Sequence, residues 1–148
     1  MVEYNGTRSA PVTLNVTGSV PGIFAADATG KGQGAILNEN VSLNNAATPA
    51  LAGSIIVFYA TGEGQTFPAG SDGALALGPV YPKPILPVGV TIGGREAEIL
   101  YYGAAPTLVA GAMQVNARIP SGTPSGDAPV ILRIGQNLSP STVTVAVK

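Results

Sequence analysis

Met113-Gln114-Val115-Asn116-Ala117-Arg118-Ile119 alternates apolar and polar residues without a break. A period of two belongs to a β-strand with one face in a core and the other toward water, because successive side chains point to opposite faces of the pleat. The same period continues on both sides of this stretch. Val88–Ile92 leads to a turn at Gly93-Gly94, after which Ala97, Ile99 and Tyr101 alternate with Glu96, Glu98 and Leu100. Residues 130–134 and Val143–Val147 follow a turn-forming cluster from Pro120 to Gly126. Upstream, residues 54–60 form a continuous β-branched and aromatic run that stops at Gly62, which predicts a central strand covered on both faces. Ala35-Ile36-Leu37 predicts a short strand, and residues 44–53 predict a loop with a helical turn. No segment shows the i, i+3, i+4 apolar period of a long helix. About eight strands with frequent turns predict a sandwich or barrel. The expected core is Ile55, Val57, Tyr59, Val90, Ile92, Ile99, Val115, Ile119, Leu132 and Val145, with Ile23 and Phe24 as plugs.

Composition supports that class. A length of 148 residues suits one domain, or one domain and part of another. Charged residues are 10% of the chain, against about a quarter in ordinary domains. The 20 Gly and 13 Pro punctuate apolar runs, as in a chain of short strands and tight turns. Net charge is −1 and the seven basic residues are scattered, so no concentrated basic face is expected for nucleic acid or for an anionic membrane surface. No run of about 18 apolar residues occurs, so no membrane-inserting helix is expected. Met1-Val2-Glu3-Tyr4 lacks the basic and apolar regions of an export signal.

One phrase occurs near both ends. Val12-Thr13-Leu14-Asn15-Val16 and Val143-Thr144-Val145-Ala146-Val147 share the pattern Val-Thr-aliphatic-x-Val. Residues 1–19 therefore read as the terminal strand segment of a preceding Ig-like unit, with a turn at Asn5-Gly6, and residues 20–148 as the Ig-like domain proper. A chain that opens on what looks like a closing strand suggests a tandem array of β modules. Val12, Leu14 and Val16 are the candidate strand-pairing residues, because an unpaired strand exposes a row of N–H and C=O groups. The short connector at residues 18–22 favours docking on the chain's own sheet. Donation to a neighbouring subunit is the other route.

A set of motifs then appears in one order: Pro21-Gly22-Ile23-Phe24, Gly32-Gln33-Gly34-Ala35-Ile36-Leu37-Asn38, Tyr59-Ala60-Thr61-Gly62-Glu63-Gly64-Gln65, Val90-Thr91-Ile92-Gly93-Gly94 and Gln114-Val115-Asn116-x-x-Ile119-Pro120. Together they resemble the uncharacterised C-terminal domain family of large secreted proteins from Solibacter and related acidobacteria, over nearly the whole chain. The resemblance implies an Ig-like β module at the end of an exported protein, and it implies no activity.

The residues that could carry chemistry are few. With no His and no Cys, neither a Ser-His-Asp nor a Cys-His system can form, and the usual zinc and copper ligands are missing. No catalytic residue, metal ligand set or cofactor is therefore assigned. Gly30-Lys31-Gly32-Gln33-Gly34 lacks the Gly-Lys-Ser/Thr ending and the following helix of a phosphate loop, so it reads as a turn. Glu96 and Glu98 would lie roughly 7 Å apart on one strand face, in the range used by inverting glycosidases. They occupy the solvated phase of that strand, so a hydrolase ranks lowest. Glu63, Asp72 and Asp127 sit in Gly-rich loops as possible calcium donors, without the spacing of a known loop. Phe67, Tyr81, Tyr101 and Tyr102 could form a stacking platform for sugar, and Tyr101 and Tyr102 alternate, which puts at least one in the core. Asn5, Asn15, Asn40 and Asn137 head Asn-x-Ser/Thr sequons that are expected at turns.

Residues 61–87 hold the functional interest. Pro79, Pro82, Pro84 and Pro87 exclude helix interior and central strand, and a loop this long within one domain is usually functional or an extended edge cover. Glu63, Phe67, Asp72 and Tyr81 are the candidate ligand-binding residues. The expected protein is an all-β, Ig-like antiparallel sandwich, not an enzyme, acting as a structural or adhesive module at an extracellular or cell-surface location. Its expected partners are adjacent domains of the same polypeptide or neighbouring subunits. The alternative is a carbohydrate-binding module that holds an extracellular glycan with the 61–87 loop.

Overall fold

The computed structural model describes residues 1–148. It is all-β, without a helix. The strands are β1 (Glu3–Tyr4), β2 (Thr7–Arg8), β3 (Gly22–Ile23), β4 (Gly32–Gln33), β5 (Ile36–Asn38), β6 (Ile55–Thr61), β7 (Thr66–Phe67) and β8 (Lys83–Pro84). They continue as β9 (Val88–Ile92), β10 (Arg95–Glu96), β11 (Glu98–Ala104), β12 (Met113–Arg118), β13 (Gly126–Ile134), β14 (Asn137–Leu138) and β15 (Val143–Val147).

Two larger open sheets carry the core. The first runs β10-β9-β13-β15-β4, with β14 also on β13. The second runs β11-β12-β6-β3, with β5 following β3 along the same edge of β6. Every strand pair is antiparallel except β15 with β4. Ile56, Phe58, Val115 and Ala117 from the second sheet share one buried cluster with Val90, Ile92, Val130, Leu132 and Val145 from the first.

The register of β12 on β6 decides which face of β6 is buried. Val115 lies opposite Phe58, Ala117 opposite Ile56 and Met113 opposite Ala60. Opposed residues share a face, so the faultless alternation of β12 fixes the phase of β6. Ile56 and Phe58 are fully buried, while Ile55, Val57 and Tyr59 are only half-buried. The expected core phase of this strand is therefore corrected by one residue. Its own sequence, apolar on both phases, carries no mark of which side faces in. A bulge at Leu100 changes the phase of β11 in the same way, bringing Tyr102 opposite Val115 and Tyr101 opposite Asn116. Tyr102 packs against the core, Tyr101 lies on the other face, and Ile99 is half-buried. Ile23 is buried as expected, but Phe24 is exposed.

The N-terminal segment differs from expectation. Asn5 and Gly6 both have positive φ (47° and 74°) and close a β1–β2 hairpin, the backbone twist that a two-residue Asn-Gly loop favours. Residues 10–17 then form no strand, and Val12, Leu14 and Val16 are 73%, 81% and 98% exposed. Docking of this segment on its own sheet, the expected arrangement, does not occur. The edge beside β15 is already filled by β4, Asn44 and Ala50. Attachment begins only at Thr17 and Ser19, where Asn137 Nδ2 donates to Thr17 Oγ1 (3.0 Å) and to Ser19 O (2.9 Å). The helical turn expected within residues 44–53 is also absent. Asn45 Oδ1 instead accepts from the N–H groups of Ala47 and Thr48, and Ala50 bridges to Val147.

Candidate functional site

The loop at residues 61–87 leaves β6 at Thr61 and returns through β8, and it encloses a cleft of about 950 Å³. Its first turn is Gly62-Glu63-Gly64. Both glycines have φ of +76°, which costs a side-chain-bearing residue strain. Space forbids a side chain as well. A Cβ on Gly62 would lie 1.8 Å from Val20 O, and one on Gly64 would lie 2.0 Å from Gly18 O. Val20 N–H also donates to Gly62 O (2.9 Å). The turn is thus pressed onto the chain entering the domain, and Glu63 is held between two positions that only glycine can occupy.

The walls come from the rest of the loop and from the turn after β11. Ala76 N–H donates to Leu108 O, Thr107 N–H to Ala76 O and Ala110 N–H to Ala74 O, at 2.8 to 2.9 Å. Ala104 N–H donates to Pro82 O (2.7 Å), and Ile85 N–H to Gln65 O (3.0 Å). These bonds tie an irregular, Pro-rich segment at several points, so the cleft has a fixed shape. Lys83 reaches over the ring of Tyr102, 5.4 Å from its centre.

Glu63 is only 7% exposed, and its Oε2 is enclosed without a hydrogen-bond partner. Burial pushes its carboxyl above the usual value. Tyr101 donates its hydroxyl to Ala104 O (2.7 Å). Burial, then the nearby Tyr81 and Glu63, push that phenol up too. Glu63 and Tyr81 therefore both lie near Tyr101, and the link between Glu63 and Tyr101 is the one that sequence reading missed. The Gly-Glu-Gly spacing was the available signal, since glycines on both sides of a charged residue mark a turn that aims it.

Two of the four candidate ligand residues share the cleft. Glu63 and Asp72 line the cleft, and neither Phe67 nor Tyr81 does. Phe67 stands in solvent on β7, 78% exposed. Tyr81 is half-buried, with its hydroxyl beside Gly78. Asp127 lies on β13 opposite Ala146, away from the loop, and no three acidic side chains gather in a metal-binding group. Glu96 and Glu98 are both exposed, and Glu98 accepts from Arg118 Nε at 2.8 Å. They lie on different strands, β10 and β11, not on one as expected, and neither lines the cleft. The strand-pairing candidates Val12, Leu14 and Val16 point into solvent.

No protein-family model, curated protein or solved structure matches the chain.

Proposed function

We propose that this chain is a non-enzymatic adhesive module of a secreted or cell-surface bacterial protein, and that its contact site is the cleft under the 61–87 loop. In this reading residues 20–148 are an Ig-like β-sandwich and residues 1–19 are the terminal segment of a preceding unit. The core shared by two open sheets supports the sandwich, and the ordered motifs that resemble the Solibacter family support the exported setting. One observation carries the contact site. Glu63 is a buried carboxyl without a partner, fixed in a cleft by two obligatory glycines. A group that folding leaves unsatisfied is a natural place for a ligand to complete. A screen of glycans, peptides and small polar molecules against the isolated chain tests this. Binding that protects the 61–87 loop from hydrogen exchange supports it, and ligands that protect only other surfaces overturn it.

A second reading rests on a different feature. Val12, Leu14 and Val16 repeat the pattern of β15 and stand exposed on an extended segment. Such a segment suits pairing with a neighbouring subunit or an adjacent domain. A concentration-dependent mass that disappears when residues 2–16 are deleted supports assembly. A monomer at all concentrations argues against it.

A further inference from the structure

The cleft holds two charged side chains, Glu63 and Asp72, and both are acids. No Lys or Arg lines it, and the chain has no His. Much of the wall is aliphatic, including Leu75, Leu77, Val80 and Ile85. Glu63 is more than nine-tenths buried, with Oε2 enclosed and unpartnered. Glu63 nonetheless lines the cleft, and a carboxyl so poorly hydrated gains more than an exposed one from a cation brought beside it.

The geometry points to an alkylammonium ligand, a primary amine on an apolar stem, seated with its head at Glu63 and its stem along the aliphatic wall. This rests on the cleft being the contact site. An ammonium group offers three donors and no acceptor, which complements an ionised carboxylate. Asp72 lines the same cleft and adds a second negative charge, with no basic residue there to offset it. Calcium wants about six to eight oxygens, and no cluster of three acids is present. A sugar gains most from an aromatic face, and neither Phe67 nor Tyr81 lines the cleft. Two sources share the alkylammonium chemistry, a lysine side chain of a partner protein and a free diamine.

The test is an NMR titration of the isotope-labelled full chain. The probes are an acetyl-lysine amide with a free side-chain amine, cadaverine, the matching norleucine amide, maltotriose and calcium chloride. The expected result is that amines move the amide signals of Ala110 and Gly111 while norleucine amide, maltotriose and calcium do not. Glu63→Gln should weaken the amines about tenfold, as loss of a charge-assisted hydrogen bond does. Asp72→Asn, on an exposed residue that folding does not need, should weaken them by a smaller factor of about two. Acidification should weaken binding as Glu63, whose carboxyl burial raises, takes up its proton; Asp72 is the other acid that lines the cleft. A response to the lysine derivative alone assigns a protein partner, and a response to cadaverine alone assigns a free amine. If maltotriose or calcium moves these signals and the amines do not, the alkylammonium assignment fails while the contact site stands. Equal amine binding to the Glu63→Gln protein also overturns it. If no probe moves the cleft signals, the alkylammonium assignment is wrong, and the contact site falls only if the wider screen also protects nothing in the 61–87 loop.

Discussion

The side chain of Asn44 stands in for a strand beside Ala146. Its Oδ1 accepts from Ala146 N–H at 2.8 Å, and its Nδ2 donates to Ala146 O at 2.9 Å. On the same edge of β15, β4 serves Val143 and Thr144, and Ala50 serves the chain from Ala146 to Lys148. Asn44 fills the gap between them. It is buried, and Gln33 Nε2 and Asn38 Oδ1 complete its amide at 3.0 and 2.9 Å.

Asn44→Ala should therefore lower stability by about 1–3 kcal/mol, because it leaves Ala146 N–H buried without an acceptor. Asn44→Asp should also destabilise, since it keeps the acceptor but loses both donated bonds and buries a charge. Urea denaturation of the two variants measures this. Wild-type midpoints would mean that water replaces the amide freely.

The phase of β6 is tested by neighbours of identical type. Ile56→Ala, at a fully buried site, should cost about 2–5 kcal/mol. Ile55→Ala, at a half-buried site, should cost clearly less than Ile56→Ala. Equal losses, or a larger loss at Ile55, would show that the strand faces the other way.

Gly62→Ala and Gly73→Ala separate conformational strain from collision. Both glycines have similar positive φ, at +76° and +74°. A Cβ on Gly73 meets nothing within 4 Å, so strain alone should cost about 1 kcal/mol. On Gly62 the Cβ would collide with Val20 O, so the loss should be severalfold larger. Thermal melting of both variants reads the difference, and similar melting temperatures would mean that the Gly62 turn relaxes.

Glu63 should make stability fall as pH rises. Its carboxyl is raised by burial, so the folded state binds the proton more tightly than the unfolded chain does. That contribution is complete below the ordinary value of 4.5 and is lost as pH climbs through the raised one. Glu63→Gln should be more stable than wild type near neutrality, and the gap should narrow below pH 4.5. Melting curves across that window decide it, and a gap independent of pH would assign the effect to packing.

The strands with one polar phase are legible in the order of residues alone. Val88–Ile92 and the 113–119 alternation occupy the expected places because water chooses the face of an amphipathic strand. β6 is legible as a strand but not in its orientation, which its partner β12 sets. The Leu100 bulge leaves no local mark, so Tyr101 and Tyr102 exchange the faces that strict alternation gives them. Glu63 and Asp72 are visible in the sequence as loop acids. That one is enclosed and the other exposed depends on where Gly18 and Val20 pass behind the turn. Asn44 is illegible, since its role depends on a strand residue 102 positions further along the chain.

Thr17 and Ser19 are clamped to the tip of β13 and β14, whereas residues 7–16 lie outside every interstrand contact of the core and pair only within the small β1–β2 hairpin. Tension applied between the two ends of the chain would consequently enter through this clamp at one end and directly through β15, next to Lys148, at the other. On the N-terminal side it would meet Asn137 and the bond from Ser19 Oγ to Ile134 O (2.8 Å), and then the bond from Val20 N–H to Gly62 O (2.9 Å). The slack arm straightens before any load reaches the sheets, and the Glu63 turn, seated on Gly18 and Val20, then lies directly behind the point where the pull is felt.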